Sequence, residues 1–328
     1  MEKPIIRIDK ASKFYTGELG GIKDVSFQID RGEITAVIGS SGSGKSTLLK
    51  CIYGTLALDS GIIYYDDLRV LGPDERLIPG HPNMKMVSQD FNLNIYATVY
   101  DNIGAMVSNR DLKYKGSAVT SVLEQLHISH LKSKRIIELS GGEQQRVAIA
   151  RALVTNVDVL LLDEPFSQID TLLKIQLRRD LKAIVKQRNI NVILVSHDPL
   201  DGLSMSNQLV ILDKGKVIQT GSPEEVYNNP RNIQVAKLLG QANIIEPEFA
   251  KFLNLVSENQ LIIYPEWIQV SDSPNAFECR VVEINFQGRA EEVLIERNGL
   301  MLTMMHVDFG KIQIGDIIRI DIKKYIAL

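Results

Sequence analysis

Gly39-Ser40-Ser41-Gly42-Ser43-Gly44-Lys45-Ser46-Thr47 follows the apolar, β-rich run Ile34, Ala36, Val37, Ile38 and opens into Leu48-Leu49-Lys50-Cys51-Ile52, which reads as a helix. Strand, glycine-rich turn and helix around GxxxxGK[ST] is the context of a phosphate-binding loop. Gly39, Gly42 and Gly44 let the backbone curl around an anion, aiming consecutive N–H groups and a helix N-terminus at it. Ser40, Ser41, Ser43 and Thr47 complete the loop. Lys45 supplies a point charge for the β- and γ-phosphates, and the Ser46 hydroxyl is placed to ligate Mg²⁺.

A chain of 328 residues is long enough to bury a core, in roughly two domains. Its 37 Lys and Arg against 40 Asp and Glu leave no basic footprint for nucleic acid or an anionic membrane. Cys51 and Cys279 cannot build a disulfide framework, which fits a reducing compartment. No apolar run approaches the ~20 residues that span a bilayer. The start, MEKPIIRIDK, enters an alternating strand pattern with no apolar signal core. Any membrane spans must therefore come from another chain.

Ile5 to Asp9 and Val25 to Ile29 read as strands on either side of a turn-rich segment, Thr16 to Gly21. Tyr15, just before that segment, has two readings: an aromatic that stacks on adenine, or an ordinary half-buried strand residue. Gly61 to Tyr65 and Lys85 to Ser88 are further strands. From Thr98 to Glu138 apolar residues recur at helical spacing, marking a helical insert. It ends in Leu139-Ser140-Gly141-Gly142-Glu143-Gln144-Gln145-Arg146, a second turn at a helix N-terminus that reads either as an anion site or as simple capping by Ser140. Val157 to Leu162 is a buried-strand pattern running into Asp163 and Glu164. At a strand's C-terminal end such groups face the ligand crevice of an open α/β sheet. Neighbouring side chains on a strand point opposite ways, which assigns Asp163 to Mg²⁺ and Glu164 to water. Asn191 to Val195 runs into His197 at another strand end; the other histidines, His81, His127, His130 and His306, show no metal-ligand spacing. Beyond Gly240 to Asn243, short strands at regular spacing predict a small all-β barrel.

Taken together these motifs resemble the ATPase subunit of an ATP-binding cassette (ABC) transporter over nearly the whole chain. Gly39 to Thr47 is the Walker A loop, Leu139 to Arg146 the signature, and Val159 to Glu164 the Walker B strand with its glutamate. Gln89 falls at the Q-loop, Ser167 to Asp170 at the D-loop, His197 at the switch histidine and Tyr15 at the aromatic A-loop. The fold implied is an α/β P-loop NTPase over residues 1–240, with a helical subdomain at about 91–150, followed by an OB-like barrel of the TOBE type over 241–328. Gln219 to Tyr227, Gly240 to Asn243, Pro265-Glu266 and Val282 to Gly288 resemble the importer branch that takes up polyamines, ferric iron, sulfate, molybdate or sugars, and the short barrel argues against the larger sugar-uptake members. Gln168-Ile169 in the D-loop, Asp198-Pro199 after His197, Tyr264 before Pro265, and the missing proline between Phe91 and Thr98 depart from that branch.

The resemblance implies ATP and Mg²⁺ as cofactors. Tyr15 would stack on adenine, and Gly39 to Thr47 would hold the phosphates. Ser46, Gln89 and Asp163 would position Mg²⁺, with Glu164 as general base or water orienter and His197 on the γ-phosphate. Ser140, Gly141, Gly142 and Asp170 would act at the composite site of a head-to-tail homodimer. The partners implied are a second ATPase subunit, membrane permease subunits and a solute-binding protein, with no nucleic acid, at the cytoplasmic face of the inner membrane. An exporter ATPase and a non-transport clamp are the alternatives. The barrel counts against the first; one cassette without sustained heptads counts against the second.

Overall fold

The computed structural model describes residues 3–15 and 17–328, with side chains for 3–15 and 21–328. Contacts divide the chain into two units, Met1–Val226 and Tyr227–Leu328. The division lies earlier than the expected boundary at residue 240. The reason is aromatic packing: Tyr227 stacks on Tyr264 with ring centroids 4.3 Å apart, and Ala236 is buried in the same cluster.

In the first unit the chain runs through β1 (Ile6–Tyr15), β2 (Gly17–Ile29), β3 (Ile34–Ile38), α1 (Lys45–Tyr53), β4 (Ser60–Tyr65), β5 (Leu68–Arg69) and β6 (Met84–Val87). It continues with α2 (Val99–Gly104), α3 (Leu112–Gln125), α4 (Gly141–Leu153), β7 (Val159–Asp163), α5 (Thr171–Arg188), β8 (Asn191–Ser196), α6 (Pro199–Met205), β9 (Gln208–Asp213) and β10 (Lys216–Gly221). One antiparallel sheet has the order β2-β1-β4-β5, and a six-stranded sheet the order β10-β9-β3-β8-β7-β6. In the latter β6, β7, β8, β3 and β9 are parallel and β10 returns antiparallel. Every residue of β3, β7 and β8 is buried, as strands covered on both faces require. Ile6, Ile29, Leu48, Ile52, Leu161, Ile193 and Val210 join both sheets and α1 in one apolar core.

The expected turn at Thr16 to Gly21 is mostly strand. Tyr15 pairs with Gly17 and Lys13 with Ile22 across register shifts, so β-bulges absorb the glycines; Thr16 lies outside the described residues. The helical insert forms as expected, with Thr98 accepting from the Asp101 N–H at 3.1 Å and Asp111 from the Tyr114 N–H at 2.9 Å as N-caps. Val119, Val122, Leu123 and Leu126 bury the inner side of this insert. A buried ion pair ties α4 to α5: Arg146 Nη1 stands 2.7 Å from Asp180 Oδ2 and also donates to Leu126 O at 2.9 Å.

The second unit begins within α7 (Pro223–Asn228), followed by α8 (Ile233–Leu239), β11 (Asn243–Ile245), β12 (Leu261–Ile263), β13 (Ile268–Val270), β14 (Phe277–Phe286), β15 (Glu291–Arg297), β16 (Leu300–His306), β17 (Ile317–Ile322) and β18 (Ile326–Ala327). An antiparallel sheet of order β13-β17-β14-β15-β16 curls over a core that includes Val281, Val293, Ile295, Leu302 and Ile320, the small OB-like barrel expected. The three-stranded sheet β11-β12-β18 is stitched to it by Asn243, whose side chain donates to Ile263 O at 3.0 Å and Thr303 O at 2.9 Å and accepts from the Thr303 N–H at 2.8 Å.

Arg146 and Asp180 are 4% and 5% exposed, so removing one leaves the other charged and buried. Asp180→Ala is expected to destabilise the first unit by about 3–5 kcal/mol, read as a lower denaturation midpoint.

Candidate functional site

The loop after β3 turns on its glycines. Gly42 and Gly44 take left-handed φ values of 77° and 99°, a region closed to most side chains. A Cβ at Gly39 would stand 2.1 Å from Leu212 O, and one at Gly44 2.4 Å from Gly21 O. Gly44 is the N-cap of α1 and makes no side-chain cap hydrogen bond to it, an arrangement that suits an anion at the helix start. Lys45 is 6% exposed; its ammonium donates to Gly39 O at 2.8 Å and Ser40 O at 2.9 Å. Burial pushes its pKa down, while the carboxylates of Glu164 and Asp163 pull the other way. The Ser43 hydroxyl is buried with no protein partner.

Parallel pairing brings the ends of three strands together, since Ile38 is level with Ser196 and Asp163 with Val195. Ser46 Oγ donates to Asp163 Oδ1 at 2.8 Å. Glu164 lies beyond the strand end, at φ 51°, with its N–H donating to Val195 O at 3.0 Å. That left-handed turn, rather than strand alternation, separates the two carboxylates. His197 Nδ1 lies 2.7 Å from Glu164 Oε2. The resulting cavity, about 330 Å³, is lined by Ser41, Gly42, Gly44, Lys45, Ser46 and Thr47 of the loop, by Gln89 beyond β6, and by Glu164, Ser167 and His197.

Other expected residues lie off this lining. Gly39 and Ser40 back the loop by accepting from Lys45. Tyr15 is 45% exposed, with its hydroxyl 3.5 Å from Thr47 Oγ1. Ser140 caps α4, accepting from the Glu143 N–H at 3.3 Å, and Glu143 returns the bond by accepting from the Ser140 N–H at 2.8 Å. A Cβ at Gly141 or Gly142 would meet Gln168 or Ile169 of the same chain at 3.5 Å. Asp170 caps α5, accepting from the Leu173 N–H at 3.1 Å. Within one chain, then, Ser140 and Asp170 do the work of caps. Ser167 was not among the expected nucleotide contacts; it lines the cavity while its hydroxyl donates to Glu164 O at 3.0 Å. Its position three residues after the turn at Glu164 is the sequence signal that could have found it.

The family model described as ABC transporter matches residues 22–167. The spermidine/putrescine import ATP-binding protein PotA of Mycoplasma capricolum is 34% identical, over 93% of this chain and 92% of that protein. The Fe(3+) ions import ATP-binding protein FbpC 2 of Haemophilus influenzae is 31% identical, over 96% of this chain and 94% of that one. Among solved structures, the dimeric post-hydrolysis state of the ATP-binding cassette MJ0796 bound to ADP and Pi matches with a TM-score of 0.59 and 26% identity, covering 66% of this chain and 98% of that one.

Lys45→Ala removes the one ammonium in this loop and is expected to weaken binding of a nucleoside triphosphate by roughly tenfold to a hundredfold. Titration calorimetry with a non-hydrolysable triphosphate checks it; unchanged affinity would remove Lys45 from phosphate binding.

Proposed function

This chain belongs to the ATP-binding subunits of import-type ABC transporters, and on that premise we propose how its residues divide the work of ATP hydrolysis and what they work with. The observation that carries the assignment is the convergence on one cavity of the loop amides, Lys45, the Ser46–Asp163 pair at 2.8 Å and the Glu164–His197 pair at 2.7 Å.

ATP hydrolysis joins a water oxygen to the γ-phosphorus and breaks the bridging P–O bond, whose electron pair leaves on ADP. Catalysis is therefore mostly positioning and charge neutralisation. The loop amides receive the phosphate oxygens, and Lys45 exchanges its carbonyl partners Gly39 and Ser40 for them. Tyr15, beside Thr47, offers its ring to adenine. Glu164 orients the attacking water and takes its proton. His197, bonded to that carboxylate, fixes its direction and reaches the γ-phosphate. A hydroxyl and a carboxylate form an all-oxygen donor set of the kind a hard cation requires, so Ser46, Asp163 and Gln89 would hold Mg²⁺, which when bound neutralises charge on the β- and γ-phosphates.

Ser140, Gly141, Gly142 and Asp170 do not line the cavity of their own chain. In our reading they complete the site of a second copy in a homodimer, a reading supported by the dimeric state of the similar cassette. The barrel unit is, in this reading, of the TOBE type, with a regulatory or a dimerising role. No helix among the described residues is long and apolar enough to cross a membrane, and the ATPase acts with permease subunits that are separate chains. We place it on the cytoplasmic side of those permeases, served by a solute-binding protein on the other side. The export and clamp alternatives are not favoured, because the relatives that match nearly the whole chain are import proteins. Those relatives are named for polyamines in one case and ferric ions in the other, so the solute is set by the permease and the binding protein rather than by the cassette.

Glu164→Gln is expected to leave ATP affinity intact, accumulate an ATP-bound dimer in gel filtration, and slow steady-state turnover by about a hundredfold to ten-thousandfold. Near-normal turnover would take Glu164 out of its role.

A further inference from the structure

His197 sits on a short stretch of backbone gripped on both flanks by charge. Lys174, early on α5, places its ammonium 2.5 Å from Asp198 Oδ2 and 3.1 Å from Asp201 Oδ1. Arg178, one turn further on, bonds Asp201 and stands 3.9 Å from Asp198. Asp201 is 2% exposed, and its other oxygen accepts from Ser196 Oγ at 2.5 Å. That same Ser196 hydroxyl accepts from the Asp198 N–H at 3.0 Å. The residues immediately before and after His197 are thus held by one network, and both cations lie over the ring of Phe166, at 6.0 and 5.5 Å. Burial pushes the Asp198 carboxyl up, but the bonds from Lys174 and the Leu200 N–H outweigh it and hold it below its usual range.

The imidazole itself has little packing to orient it. Its side chain is 61% exposed, and its one hydrogen-bond partner among the described residues is Glu164. Its direction is therefore set by the backbone that carries it. Partly buried ion pairs such as these contribute little net stability compared with apolar residues of the same shape, and fixing geometry is a use known for some of them.

We propose that Lys174 and Arg178 are positioning residues for ATP hydrolysis: by clamping Asp198 and Asp201 to α5 they fix the backbone around His197 and aim its imidazole at Glu164. This rests on the roles given above to Glu164 and His197. Because α5 is capped by Asp170, the same clamp ties His197 to the helix that follows the D-loop, the segment our reading places at the dimer site.

The test uses the full chain. Lys174→Met keeps the length of the stem and removes the charge; it is expected to lower kcat about tenfold to a hundredfold with the KM for ATP unchanged, and Lys174→Arg to restore most of the loss. Asp198→Asn keeps a side chain able to cap α6 while removing the charge that Lys174 holds, so it should fold normally and show the same loss. It carries the test if Lys174→Met does not fold, as judged by thermal melting. In a His197→Ala background, measured in single turnover, Lys174→Met should add no further loss. Wild-type kcat in both charge variants alongside an impaired His197→Ala, or a full additional loss in that background, would overturn this inference and leave the roles of Glu164 and His197 standing. Wild-type turnover in His197→Ala would overturn both.

Discussion

The ammonium of Lys45 donates to the carbonyl oxygens of Gly39 and Ser40 and so ties the start of α1 back to the beginning of the glycine loop. A loop that must present N–H groups on its inside has no room for side chains there. Gly39 and Gly44 are accordingly hemmed in by the main chain of other segments, and Gly42 and Gly44 sit in left-handed backbone. The fold supplies the walls. Leu212 lies on the neighbouring strand β9 and Gly21 belongs to the antiparallel sheet, so both sheets of the first unit define the shape of the loop.

A second constraint is the parallel register. Because β3, β7 and β8 point the same way and end level, a hydroxyl, two carboxylates and an imidazole from distant parts of the sequence arrive at one rim. Ser46 and Asp163 are 117 residues apart in sequence and 2.8 Å apart in space. The buried charge networks act from behind this rim. Arg146–Asp180 fastens the helical insert to α5, and Lys174 and Arg178 fasten α5 to the residues around His197. A shift of α5 is thereby felt at both the insert and the imidazole.

The second unit is organised differently. Its barrel core is apolar, and the polar cross-link is a single amide, Asn243, satisfied on both its donor and acceptor sides. Tyr264 is buried and stacked on Tyr227. Because Tyr227 and Ala236 pack with Tyr264 in one cluster, the boundary between the units falls before the change in sequence character at Gly240.

Most of the fold could be read from local signals: glycine spacing around Lys45, unbroken apolar runs for buried strands, helical spacing in the insert and short alternating strands in the barrel. The type of each element and the kind of chemistry were legible because they depend on residues close together in the chain. Less legible were the strand through Gly17 to Gly21, where bulges absorb glycines that read as a turn, and the separation of Asp163 from Glu164, which comes from a left-handed turn rather than from strand alternation. The grip of Lys174 on Asp198 was also invisible, since an ion pair between remote residues leaves no periodic trace. The sequence by itself determined a phosphate-binding loop within an ATPase of the ABC kind; only tertiary structure decided which carboxylate meets the hydroxyl and which the imidazole, because those contacts are set by the register of parallel strands.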